Sequence, residues 1–136
     1  MIEDNAGLRA LLEHTRNIAV VGMSANPHRP SNEVACYLRD AGYTIIPVNP
    51  ACTEILGEKC YPSLREVPVK IDMVDVFRNP ADVPGIVEEA IAVGAGSIWL
   101  QLGVIAPEAA ARAEAAGLAV VMDRCTKIEH KRLIRD

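Results

Sequence analysis

Residues 17–34 read NIAVVGMSANPHRPSNEV. Ile18–Met23 is an apolar run interrupted only by Gly22, long enough for one buried strand. A strand of this kind, followed by a turn and a helix, opens many parallel α/β domains. Turns that wrap phosphate there usually carry several glycines. Here Gly22 is the only one, and Ser24, Asn26, Pro27, His28, Arg29 and Pro30 fill the turn. Ser31 or Asn32 can cap a helix to about Ala41, where Gly42 provides a stop.

Working outward, residues 2–15 place Leu8, Leu11 and Leu12 on one face of an amphipathic first helix. Tyr43–Asn49 is the second strand. Residues 51–68 are irregular, with a short helical turn near 63–66. Asp72–Arg78 is the third strand. Asn79 then caps a helix with Pro80 at its first position, running to about Val93. Ser97–Leu102 is the fourth strand, and Pro107–Ala116 an alanine-rich helix ended by Gly117. Leu118–Met122 is the fifth strand, and residues 126–134 form a closing helix. Strands apolar on both faces and separated by helices imply an α/β fold: a doubly wound parallel sheet of five strands with helices on both faces. The expected order is 3-2-1-4-5, with ligand bound outside the carboxyl ends near the switch between strands one and four.

The 136 residues suit a single domain spanning 1–136. A net charge of −4 argues against general nucleic-acid binding. The start lacks a basic segment followed by an apolar one, and no 18-residue apolar run exists, so no membrane association and a cytoplasmic location are expected. Cys36, Cys52, Cys60 and Cys125 are widely spaced without a CxxC pair, which favours reduced thiols over a metal site.

Three Asn-Pro pairs, 26–27, 49–50 and 79–80, follow the first three strands and set rigid polar loops on the carboxyl edge. A phosphate is favoured at the start of the helix after strand one, where free N–H groups and the helix dipole attract anions. Ser24 and Ser31 add hydroxyls, and Arg29 a charged fork suited to phosphate oxygens. Arg78 follows strand three and Arg124 strand five. Both could serve a polyanion, or could pair with Asp82 and Asp123. A NAD site usually has an acid at the end of strand two, but Asn49 stands there, and GxGxxG is absent. These gaps disfavour a dinucleotide-dependent oxidoreductase. An enzyme acting on a thioester or disulfide through Cys125 is a further alternative, since Cys125 starts a helix beside Arg124. His130, five positions on, does not share its face. No paired carboxylates, nucleophile elbow or metal constellation is evident, so no catalytic residue is assigned.

Four stretches together, VVGMSANPHRPSNEVACYLRDAGYTIIPVNP, VDVFRNP, IWLQLGV and VVMDRCTKIEH, resemble the small stand-alone CoA-binding proteins. These are similar in fold to the Rossmann-like CoA-binding domain of the succinyl-CoA synthetase α subunit. The resemblance covers about residues 15–134. It implies a protein that binds coenzyme A or an acyl-CoA as a non-catalytic carrier, sensor or regulatory module, and ligase activity is not carried over with it. By this resemblance Gly22, Met23, Ser24, Arg29, Pro30 and Ser31 hold the CoA diphosphate. Asn49 and Pro50 border the adenosine end, and Phe77, Arg78 and Asn79 line the cleft. Gln101, Leu102 and Gly103 face the pantetheine arm, with Arg124 and Cys125 on the same edge. A protein partner and an oligomeric state are left open.

Overall fold

A computed structural model describes residues 1–134. Five helices, α1 (Asn5–His14), α2 (Pro30–Asp40), α3 (Val83–Ala92), α4 (Pro107–Ala115) and α5 (Thr126–Leu133), surround one parallel sheet. Its strands are β1 (Asn17–Val21), β2 (Thr44–Val48), β5 (Met73–Val76), β6 (Ser97–Leu100) and β7 (Ala119–Val121). Between β2 and β5 lie a short hairpin, β3 (Glu54–Ile55) and β4 (Glu58–Lys59), and a single 3-10 turn, Leu64–Glu66.

Side chains alternate between the faces of the sheet. Ala19 and Val21 of β1 point to a cluster with Val74, Val76, Ile98 and Leu100, covered by Val83, Val87 and Ala90 of α3 and Ala109, Ala110 and Ala113 of α4. Ile18 and Val20 point the other way, to Met73, Trp99 and Val121, covered by Leu8 and Leu12 of α1 and Val34 and Leu38 of α2. Helix α5 closes this second face against α1 and α2. Small alanines on α4 let that helix sit close to the sheet, as its sequence suggests. The fold class is therefore the expected Rossmann-like α/β sheet with helices on both faces.

The strand order differs from the expectation. The sheet runs β2-β1-β5-β6-β7, so in chain order of its five strands it is 2-1-3-4-5 and not 3-2-1-4-5. The third sheet strand pairs with β1, with Ile18 opposite Met73, and β2 lies at the edge. Two physical reasons place β2 there. Pro47 sits inside β2 and has no N–H to give to a neighbouring strand, which confines such a strand to an edge. The outer side of β2 is also taken by Tyr61, whose N–H donates to Pro47 O at 3.0 Å while its carbonyl accepts from Asn49 N–H at 2.9 Å. The switch point consequently falls between β1 and β5, where the loops after these strands part to opposite faces. Among the described residues no helix is long and apolar enough to cross a membrane.

Candidate functional site

At the end of β1 the chain turns on Gly22, with φ +85°. A Cβ there would lie 2.5 Å from Phe77 O and 2.7 Å from Arg78 Cδ. Both the backbone conformation and the close approach of the β5 end require glycine. The loop that follows is held by side chains. Ser31 Oγ accepts the Ser24 N–H at 2.9 Å, Ser24 Oγ the Asn26 N–H at 3.0 Å, and Asn26 Oδ1 the His28 N–H at 3.0 Å. Asn32 Nδ2 donates back to Ser24 O at 2.8 Å. The polar residues thus tie down a turn that other domains shape with glycine. Each serine oxygen takes one backbone N–H, which leaves its own hydrogen to donate outward.

Helix α2 begins directly after, with Pro30 in its first turn, and no side chain caps it. Its N-terminal end opens on a cleft of about 570 Å³. Gly22, Ser24, Arg29, Pro30 and Ser31 form one wall. Phe77, Arg78 and Asn79, after β5, form the next, and Gln101, Leu102 and Val104, after β6, the third. A second, smaller cleft of about 200 Å³ lies on the other side of Gly22 and Arg78, lined by Pro50, Pro62, Leu64, Ile86 and neighbours.

Ten of the residues singled out in the sequence therefore share one cleft. The others lie elsewhere. Met23 is fully buried beneath the loop, and its carbonyl accepts Asn49 Nδ2 at 2.9 Å. Asn49 Oδ1 accepts Ala51 N–H at 2.9 Å, so this side chain links two loops. Pro50 lines the smaller cleft. Gly103 is exposed, with its N–H on Asp123 Oδ1 at 2.8 Å. Arg124 is not among the residues lining the cleft. Its Nη1 donates to Glu129 Oε1 at 2.8 Å and its Nη2 to Glu3 O at 3.2 Å, which commits it to the α1–α5 side. Burial alone would raise the Glu129 carboxyl, but Arg132 and then Arg124 outweigh it and hold that carboxyl below its usual range. Arg78 pairs with Asp82 at 3.1 Å, one helical turn on. Arg29 has no ion-pair partner among the described residues, which leaves its guanidinium for the cleft.

Cys125 immediately precedes α5 and packs partly into the core, outside the cleft lining. The His130 Nδ1 lies 2.8 Å from Tyr37 Oη, and its ring sits edge-on to Tyr37 and Tyr43. Among the described residues no cluster of three His, Cys, Asp or Glu side chains could hold a metal ion.

The sequence reading missed a buried polar group under the cleft. Asp75, in the middle of β5, is fully buried on the α1/α2/α5 side. Gln101 Nε2 donates to its Oδ1 at 2.5 Å and to Thr126 Oγ1 at 2.9 Å, and Thr126 Oγ1 donates to its Oδ2 at 3.1 Å. Burial pushes the Asp75 carboxyl up to about 7, against the two hydrogen bonds, which pull it down. Gln101 lines the cleft, so this carboxyl fixes the orientation of a side chain in the site. A single acid within the apolar run MVDVF was the available signal.

The model of a family described as a CoA binding domain matches residues 16–131. The chain belongs to this CoA-binding domain family. The protein YneT of Bacillus subtilis is 42% identical over 125 residues, which cover 92% of this chain and 93% of YneT. A solved structure of a Pyrococcus horikoshii protein superposes with a TM-score of 0.94 at 42% identity, over 97% of this chain and 93% of that one. An ADP-forming acetate–CoA ligase of Archaeoglobus fulgidus is 32% identical over 85 residues, 61% of this chain but only 13% of the ligase. The chain is thus homologous to the CoA-binding domain of such ligases, a domain similar to that of succinyl-CoA synthetase, and to stand-alone proteins of its own length.

Proposed function

We propose that this CoA-binding-domain protein binds coenzyme A in the cleft at the carboxyl edge, as a carrier, sensor or regulatory module without chemistry of its own. The observation that carries the proposal is the uncapped N-terminus of α2 opening on the cleft beside the guanidinium of Arg29, unpaired among the described residues, and the hydroxyls of Ser24 and Ser31. Together they suit a diphosphate: the helix end supplies N–H groups and a positive partial charge, and the arginine supplies a bidentate fork. The adenine ring fits the smaller, mostly apolar cleft by Pro50, and the pantetheine arm runs past Phe77 and Asn79 toward Gln101 and Leu102. Asn49 supports CoA over NAD. It offers no carboxylate for ribose hydroxyls, and none to repel a 3′-phosphate. Four free thiols suit a reducing cytoplasm.

A non-catalytic role is favoured because Cys125 stands outside the cleft lining and the lining carries no nucleophile with a base. The test is mass spectrometry of small molecules released from the purified native protein. CoA or an acyl-CoA in near-stoichiometric yield is expected. Recovery of NAD or FMN instead would overturn the proposal.

A further inference from the structure

Resting on the CoA reading, we infer that the protein carries a separate subsite for an uncharged aliphatic acyl chain on the CoA thiol. A groove of about 320 Å³ is formed by Pro80 in the 3-10 turn before α3, Pro84 in the first turn of α3, Ile105 and Ala106 just before α4, and Pro107 and Ala109 in its first turn. It continues the cleft through two shared chain segments. Asn79 and Val104 line the cleft, and the residues next to them, Pro80 and Ile105, line the groove. A ligand whose phosphates sit at α2 and whose arm passes Gln101 and Leu102 delivers its sulfur to this junction.

The chemistry of the walls selects the occupant. Three of the lining residues are prolines, which have no N–H to offer and little freedom to collapse the groove. Leu102, at the junction, is 59% exposed and Ile105 is 50% exposed, so two large apolar side chains meet solvent where the arm ends. Glu108 is the one charged residue in the lining, and it opposes a carboxylate at the end of the chain. A volume near 300 Å³ is at the small end of ligand pockets, which suits a short chain. A protein partner is a poorer match, because a stable interface takes roughly 20–30 residues a side.

Calorimetric titration with CoA and with acetyl-, butyryl-, hexanoyl-, octanoyl- and succinyl-CoA tests the subsite. A fully buried methylene corresponds to about a fourfold gain in affinity. In an open groove each added carbon should give about twofold, up to a plateau when the groove is filled. Succinyl-CoA should bind no tighter than CoA. Ile105→Glu, an exposed position, should leave CoA affinity unchanged and flatten the dependence on chain length. Equal affinities for all chain lengths while CoA still binds would overturn the subsite, as would a chain-length gain that survives in Ile105→Glu. If Ile105→Glu instead dissolves a dimer and chain length has no effect, the groove is a self-interface and the inference fails. Absence of binding by every CoA species would instead remove the CoA reading itself, and the subsite with it.

Discussion

Replacing Asp75 by asparagine should make the protein more stable at pH 8 and change it little at pH 4. The carboxyl is fully buried, and its folded value is raised to about 7 from an ordinary 3.8. Between these values the unfolded chain has lost its proton and the folded chain keeps it. The folded state then binds more protons, so stability falls as pH rises from about 4 to about 7 and stays low above that. A shift of this size corresponds to about 4 kcal/mol once the window is crossed, which is a large part of the stability of a small domain. Asparagine has nearly the same shape and cannot ionise. Its oxygen can accept from Gln101 Nε2, and its amide can donate to Thr126 Oγ1 once that hydroxyl turns. The adjustment should cost about 1 kcal/mol at any pH. Urea unfolding of both proteins at several pH values gives the difference. Trp99 is the only tryptophan, is fully buried and pairs with Asp75 across β5 and β6, so its fluorescence reports the transition. The variant should gain about 3–5 kcal/mol on the wild type between pH 4 and pH 8. A constant difference across that range would show that Asp75 is ionised in the fold, and the assignment of its environment would be wrong.

Arg29→Ala should weaken CoA binding by about 1.5–3 kcal/mol in calorimetric titration and hardly change the melting temperature of the free protein, because the side chain is exposed and has no ion-pair partner among the described residues. Arg78→Ala should weaken binding less, since that guanidinium is shared with Asp82; an equal or larger loss would reverse the two roles. Gly22→Ala should destabilise the fold by about 2–4 kcal/mol in denaturant titration, from positive φ and from the contact with Phe77 O. Glu129 has a carboxyl held low, so its contribution is complete above the unfolded value and is lost as pH falls through the folded one. Glu129→Gln should therefore cost stability at pH 7 and little in strong acid, as melting curves at the two conditions would reveal.

Much of the fold could be read from pattern alone. The strands at 44–48, 73–76, 97–100 and 119–121 lie inside the expected runs, the strand at 17–21 begins one residue before its run, and Gly42 and Gly117 follow helices as expected. The expected order 3-2-1-4-5 came from the doubly wound pattern of right-handed crossovers, and it failed at the position of β2, which lies at the edge. A proline inside the run TIIPV already argued for an edge. The hairpin at 54–59 escaped because two-residue strands carry no usable period. At the site, the loop residues Ser24, Arg29 and Ser31 gather on one cleft. Arg124 stands outside the cleft lining because it pairs with Glu129 of the following helix, and only the fold decides between that acid and Asp123. Asp75 was passed over because its value lies in burial, which a single letter in a strand does not announce.

The central claim is that the cleft recognises CoA through its phosphates. Titrating the purified protein with CoA, dephospho-CoA, NAD and FMN at low and moderate ionic strength tests it most directly. CoA should bind tightest and dephospho-CoA more weakly, with the gap narrowing as salt screens the 3′-phosphate. NAD binding as tightly as CoA, or a CoA affinity indifferent to that phosphate, would contradict the account.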